Sequence, residues 1–109
     1  MAQAYPDADA DALRGLADDL RGMTGRFLLA AAAGSDGTPT LLVAASRDLV
    51  EEGFDASVVV REVAPLIGGG GGGRADLAQA GGKDPSRLGE ALTEATRLAL
   101  EALRRIESA

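Results

Sequence analysis

The stretch PLIGGGGGGRADLAQAGGKDPSRL, residues 65–88, decides how the second half of the chain folds. Its six consecutive glycines have no side chains to pack, and they predict a connecting loop. The segment ADLAQAGG that follows, residues 75–82, has the length of a short strand. Pro85, with Asp84 as an N-cap, fits the first turn of a helix. We therefore expect a glycine loop, a strand and a helix in this order.

Two helices flank this stretch in the prediction. Residues 83–108 form the clearer one, because apolar residues recur on one side at helical spacing. They are Leu88, Leu92, Ala95, Leu98 or Ala99, Ala102 or Leu103, and Ile106. Upstream, DASVVVREVAPLI is ambiguous, since its valine run favours a strand while its apolar residues also share a helical face. We favour a helix capped near Asp55 and loosened by Pro65.

The first half of the chain predicts a helix and a β-hairpin. Apolar residues at helical spacing indicate an amphipathic helix from about Asp9 to Met23, stopped by Gly25. The apolar runs RFLLAAAA and TLLVAAS then flank the turn-forming cluster GSDGTP, which is typical of a hairpin. The chain is thus expected to have an α/β (α+β) fold, a small mixed sheet covered by about three helices. Residues 1–109 form one globular domain in this interpretation, with residues 1–6 as a tail or linker.

Composition excludes several classes of function. The chain has 17 acidic and 11 basic residues, a net charge of −6, so nucleic-acid binding would need a local patch. It has no cysteine and no histidine, which removes disulfides, thiolate metal sites and the commonest general base. No apolar run approaches the roughly 20 residues of a membrane span, and the N-terminus is acidic where a signal peptide is basic. We expect a cytoplasmic protein.

The glycine run matches nucleotide-binding motifs only superficially. A phosphate-binding loop needs Lys and Ser or Thr where Arg74 and Ala75 stand, and a dinucleotide motif should follow a strand and open a helix. The carboxylates fall on predicted helix faces and turns, where solvation explains them, and the serines have no histidine base. We therefore assign no catalytic residue, no metal and no cofactor.

Exposed backbone is what the glycines offer. Successive amides without side chains can bind an anion, and neighbouring polar side chains can add contacts to phosphate, base or ribose. The candidate binding residues are Gly70, Gly71, Gly72, Gly73, Arg74, Gln79, Lys83 and Arg87. Residues 68–87 carry three cations and two acids, a net +1, which leaves −7 for the other 89 residues. The alternative is that the glycines only make a tight connection and that Arg74 pairs with an acid such as Asp76.

The pattern GGGR-x-D-x-AQ-x-GG resembles the signature of the C-terminal (C-Ala) domain of alanyl-tRNA synthetase, in the DHH-associated domain family. The resemblance extends upstream through DADALRGLADDLRG and LLVAASRDLVEEGFDASVVVREVAPLI, and so covers nearly the whole chain. Ala75 stands where the family usually has proline, and Leu77 where methionine is common. Losing the proline removes one restraint on the loop.

This resemblance implies a small α/β domain that follows the aminoacylation and editing domains of a larger synthetase. The chain would then be a fragment that catalyses nothing alone, contacts the outer corner of a tRNA, here alanine tRNA, and helps both catalytic domains act on it. Its expected partners are tRNA and those domains, with dimerisation in some members and no membrane. The alternative is a self-association or interdomain docking module, with residues 85–107 supplying an apolar face.

Overall fold

The computed structural model describes residues 2–5, 15, 25–34 and 38–108. Five strands occur in these ranges: β1 Ala2–Tyr5, β2 Leu28–Ala33, β3 Thr40–Ala45, β4 Gly70–Gly73 and β5 Leu77–Gly81. The α-helices of the same ranges are α1 Arg47–Glu51, α2 Ala56–Val63 and α3 Leu88–Ser108. Two short 3-10 helices, Ala64–Ile67 and Pro85–Arg87, follow α2 and precede α3. The predicted helix from about Asp9 to Met23 lies outside the described residues except for Gly15.

The strands form one mixed sheet in the order β1-β2-β3-β5-β4. β1 pairs with β2 in parallel, and the other three pairings are antiparallel. The described helices α2 and α3 pack on this sheet, so the predicted α/β architecture is confirmed. β4 and β1 are the two edges of the sheet.

The predicted hairpin is confirmed as β2 and β3. Leu28 pairs with Ala45 at its open end and Ala33 with Thr40 at the turn. Nearly every residue of both strands is buried, which explains why the sequence shows continuous apolar runs instead of polar alternation. The hairpin therefore forms the centre of the sheet.

Alternate residues of the strands face α2 and α3. On the helix-facing side, the sheet contributes Ala30, Ala32, Leu41, Val43, Ala45, Ala78 and Ala80. α3 meets them with Leu88, Ala91, Ala95 and Ala99, so small residues face each other and the helix approaches the sheet closely. The opposite side of β2 and β3 is also buried and forms a second cluster of Leu29, Ala31, Ala33, Leu42 and Ala44.

The ambiguous valine segment is a helix, as predicted. The Asp55 side chain caps α2 by accepting a hydrogen bond from the Ser57 backbone N–H at 2.9 Å. Val59, Val60 and Val63 are buried on one side of the helix. The helix tightens to a 3-10 turn at Ala64–Ile67, where Pro65 cannot donate a backbone hydrogen bond. Helical periodicity therefore decides this segment over β-branched composition.

The glycine run corrects the prediction of a loop. Four of its residues form β4, which pairs residue by residue with β5, from Gly70 opposite Gly81 to Gly73 opposite Ala78. The ladder and the helix beneath it hold these residues extended despite the low strand propensity of glycine. ADLAQAGG contains β5, so the predicted strand is confirmed.

Two elements were not predicted. α1 follows β3 directly, beginning after Ser46, and buries Leu49 alone among its residues. A five-residue helix with one buried side chain leaves too short a pattern to recognise. β1 is equally short, a strand of four residues at an edge. Both elements depend on neighbours distant in sequence.

Candidate nucleic-acid interface

The glycine strand is anchored where the chain leaves the 3-10 helix after α2. Gly68 has φ +70°, a left-handed conformation that suits glycine, and its N–H donates to the Pro65 carbonyl at 3.1 Å. The Ile67 carbonyl accepts hydrogen bonds from the N–H groups of Lys83 at 2.9 Å and Asp84 at 3.0 Å. These bonds tie the beginning of β4 to the chain beyond β5.

Gly69 and Gly82, which flank these hydrogen bonds, lie in close contact with backbone atoms. A Cβ on Gly69 would lie 1.9 Å from the Gly81 carbonyl oxygen, and a Cβ on Gly82 would lie 1.9 Å from the Ile67 carbonyl oxygen. Neither oxygen can move away without breaking the backbone arrangement described above. Gly69 and Gly82 are therefore structural.

Two glycines within β4 are also required by packing. A Cβ on Gly71 would lie 2.5 Å from Val60 Cγ1, because α2 packs directly beneath the strand. Gly73 has φ +146°, and a Cβ there would lie 2.7 Å from both the Ala78 Cα and the Leu77 carbonyl oxygen. The helix-facing side of β4 therefore admits no side chain.

The remaining glycines of the β4–β5 hairpin are not required by close contacts. Cβ atoms on Gly70, Gly72 and Gly81 would meet no heavy atom within 4 Å, and none of the three has a positive φ. By strand alternation all three face away from α2, on the side where Gln79 stands opposite Gly72. We call the surface formed by Gly70, Gly72 and Gly81 the open strip. The packing of the fold does not require glycine at these three positions.

The outer edge of β4 presents backbone hydrogen-bonding groups. The Arg74 N–H donates to the Leu77 carbonyl at 2.9 Å, which fixes the alternation of bonds along the β4–β5 ladder. In an antiparallel ladder every second residue points its N–H and C=O away from its partner strand. In β4 these are Gly71 and Gly73, so their backbone groups face outward from the sheet.

Arg74 ends the glycine strand. Its side chain is 65% exposed, and its Nε lies 3.4 Å from Asp76 Oδ1. The ion pair between Arg74 and Asp76, which the sequence suggested as the alternative to anion binding, is therefore present. An exposed pair with this geometry contributes little to stability. The guanidinium has more donors than one carboxylate oxygen can use, so it can still contact an anion.

Lys83 and Arg87 lie at the other end of the β4–β5 hairpin from Arg74. Four strand residues at about 3.3 Å each put about 13 Å between these ends. The structure therefore brings Gln79 next to the glycines but separates the predicted cations into two groups. Arg87 is also engaged, because its Nε donates to Glu90 Oε2 at 2.7 Å.

Asp84 adds a fixed negative charge beside Lys83. Its carboxylate accepts hydrogen bonds from Ser86, whose N–H is 3.0 Å away. The Ser86 hydroxyl bond, then the backbone bond, lower the pKa of Asp84, and Arg87 lowers it further by charge attraction. The carboxylate therefore stays ionised at neutral pH and offsets part of the positive charge of Lys83, as Asp76 does beside Arg74.

Sequence reasoning missed the role of Gly81 in the open strip. Strand alternation would have placed it beside Gly70 once the glycine run was recognised as a strand. Within the described part of the chain, no group of three or more acidic side chains is arranged to hold a metal ion. A search of the same residues finds no helix with the length and hydropathy needed to cross a membrane.

The family model of the DHHA1 domain matches residues 1–101. The chain belongs to the DHHA1 domain family. A solved member supports this assignment: the C-Ala domain from Aquifex aeolicus alanyl-tRNA synthetase superposes with a TM-score of 0.74 at 33% identity. That match covers 90% of this chain and 87% of the other. The resemblance seen in the glycine signature is confirmed.

Curated relatives of this DHHA1 domain are alanine–tRNA ligases. The enzyme of Pelotomaculum thermopropionicum is 50% identical over 84 residues, and that of Geobacillus kaustophilus is 52% identical over 84 residues. Each alignment covers 77% of this chain and 10% of the relative. The chain therefore spans about a tenth of the length of the ligases that it matches.

Proposed function

We propose that this domain binds tRNA at the β4–β5 hairpin. The observation that carries the proposal is the open strip of Gly70, Gly72 and Gly81, where the fold itself would accept side chains. A strand free of side chains lets a sugar–phosphate backbone approach closely. The similarity to ligases that act on tRNA supports this choice of nucleic acid.

The assignments of single residues belong to the same proposal. The outward-facing amides of Gly71 and Gly73 and the guanidinium of Arg74 contact phosphate, Gly70 and Gly72 leave room for the sugar–phosphate backbone, and Gln79 contacts a ribose or a base edge from the open strip. Lys83 and Arg87 add charge at the far end of the hairpin. Recognition is by shape and backbone, because the chain has only one Tyr and two Phe for stacking.

The wider setting of the domain is inferred from its relatives. We propose that it acts within a cytoplasmic alanyl-tRNA synthetase, where it helps the aminoacylation and editing domains use one alanine tRNA. The domain by itself would then have no ligase activity. Its acidic total favours weak binding that depends on salt, with most affinity supplied by the parent enzyme.

Self-association through α3 has less support. The apolar side of this helix packs on the sheet of its own chain, with Leu88, Ala91, Ala95 and Ala99 buried. Leu100 is its one large exposed apolar residue within the described range, 42% exposed. A single exposed leucine needs no partner to explain it. Sedimentation of the isolated chain tests whether a homodimer nevertheless forms.

Titration of alanine tRNA with two variants tests the proposed site. Arg74→Gln removes a phosphate contact and should weaken binding about three- to tenfold at low salt. Gly72→Ala should weaken it too, because the new methyl group occupies the open strip while the fold accommodates it. Gly89→Ala on α3, also in open space, is the matched control.

Thermal melting separates binding from folding in these variants. Arg74→Gln and Gly72→Ala should melt close to the wild type, since neither removes a buried contact. Wild-type affinity for tRNA in both folded variants would contradict the proposed site. Failure of the wild-type chain to bind tRNA at any salt concentration would contradict the function of the isolated domain.

A further inference from the structure

The outer edge of β4 runs alongside α2. The helix begins at the β4–β5 turn, where the Ala56 N–H donates to the Ala75 carbonyl at 2.9 Å. One turn later Val60 lies beneath Gly71. α2 and β4 therefore run antiparallel, which places the next helix residue, Arg61, level with the outward-facing backbone of Gly71.

Arg61 is an exposed cation beside this edge. Successive residues of a helix turn by about 100°, so Arg61 lies beyond Val60 toward the outside of the sheet, and Glu62 lies toward α3. Within the described ranges Arg61 forms no salt bridge. Its charge is consequently available at one point of the edge, and Arg74 supplies a second cation where the strand ends.

Between these two cations the edge offers both donors and acceptors. Gly71 and Gly73 direct N–H groups outward, which suit phosphate oxygens. They also direct carbonyl groups outward, which suit a hydroxyl donor. Ribose has such a donor in its 2′-hydroxyl and deoxyribose lacks it, so this edge is better matched to RNA than to DNA.

We propose that one RNA strand lies along the outer edge of β4, with Arg61 and Arg74 on two of its phosphates. This rests on the proposed function and adds a residue from α2 to the binding surface. A second copy of the chain would fit the edge less well. Four paired glycines bury far less than the roughly 1,200–2,000 Å² of a stable interface.

Charge-removing variants titrated with alanine tRNA over a series of salt concentrations test the role of Arg61. Arg61→Gln should weaken binding about three- to tenfold at low salt and reduce the slope of log K against log salt by about one. Arg104→Gln removes the same charge from an exposed position of α3. It is the matched control and should change binding little. Wild-type chain should prefer a single-stranded RNA over DNA of the same sequence.

The outcomes distinguish this inference from the proposed function. If Arg74→Gln weakens tRNA binding while Arg61→Gln has the same affinity as Arg104→Gln, RNA does not lie along the outer edge of β4, and the proposed function stands. If the wild-type chain does not bind tRNA, the function itself fails for the isolated chain. Equal affinity for RNA and DNA, or a dimer in sedimentation that Arg61→Gln dissociates, would overturn the assignment of the edge to RNA. Melting of Arg61→Gln near the wild-type temperature confirms that the comparison uses folded protein.

Discussion

Neighbouring glycines in the β4–β5 hairpin have different reasons to be glycine. Gly81 faces open space, whereas the next residue, Gly82, is pressed against the Ile67 carbonyl. Composition alone treats both as the same residue. The distinction arises because one faces solvent and the other lies where two backbone segments meet.

Alanine substitutions at these two positions should therefore differ sharply. Gly82→Ala should lower the free energy of unfolding by about 1–3 kcal/mol, because its Cβ would lie too close to the Ile67 carbonyl oxygen. Gly81→Ala should change it by less than about 0.5 kcal/mol. Urea denaturation of both variants measures the difference, and equal losses would contradict the packing described here.

The residue scale also shows what the sequence could and could not predict. The candidate residues Gly70–Gly73, Arg74 and Gln79 were found from their order along the chain, and the structure places them on one hairpin. The separation of Arg74 from Lys83 was not predicted, because it follows from β4 being a strand. Glycine has a low strand propensity, and only the ladder with β5 reveals its extended state.

At the scale of elements, a cluster of charges joins three parts of the fold. Arg26, just before β2, has its Nη1 2.8 Å from Asp48 of α1 and 2.6 Å from Glu52, which follows α1. Its Nη2 lies 3.7 Å from Glu107 near the end of α3. The Ser46 hydroxyl donates to Asp48, extending the cluster to the end of β3. The cluster therefore links the short α1 to the ends of β2, β3 and α3.

This cluster should make the free energy of unfolding depend on pH in the acidic range. The hydrogen bond from Ser46, followed by that from Arg26, lowers the pKa of Asp48. The unfolded state therefore binds a proton first, and stability falls as the pH drops from about 4 through the folded-state pKa. Asp48→Asn should show a shallower loss over this window in denaturation at successive pH values.

Glu51→Gln, the same change of charge on α1 outside the cluster, is the matched control for this experiment. If Asp48→Asn and Glu51→Gln lose stability on acidification as steeply as the wild type, the cluster does not contribute as described. The sequence did not predict this arrangement. α1 is too short to show periodicity, and the partners of Arg26 lie 22, 26 and 81 positions away along the chain.

Longer elements were easier to predict than short ones. The β2–β3 hairpin, α2 and α3 each repeat an apolar pattern over enough residues to fix their type. β1 and α1 do not, and they are held by contacts that only the folded chain creates. Sequence patterns thus predicted the elements of the core, and tertiary pairing determined its edges.

At the scale of the whole molecule, charge limits any interaction with a polyanion. The chain carries −6, and several of its arginines are occupied by neighbouring acids. Arg87 pairs with Glu90 near the hairpin, while Arg97 pairs with Glu94 and with Glu101 further along α3. The effect of each neutralised arginine on polyanion binding should therefore depend on its distance from the hairpin.

Releasing one cation near the hairpin should strengthen tRNA binding. Glu90→Gln frees Arg87 and should raise affinity about two- to threefold at low salt. Glu94→Gln, which makes the same change of net charge farther from β4, should raise it less. Parallel tRNA titrations of both variants measure this, and equal gains would mean that only net charge matters and that Arg87 makes no local contact.

The Ile67 carbonyl has a consequence for how this surface can change during evolution. It holds the hairpin through the backbone N–H groups of Lys83 and Asp84, and neither bond uses a side chain. Mutations that replace the Lys83 side chain can alter the charge beside β4 while the backbone bonds persist, whereas the Asp84 side chain also caps the following 3-10 helix through Ser86. The charge at this end of the hairpin can therefore change without loss of the two backbone bonds that hold it.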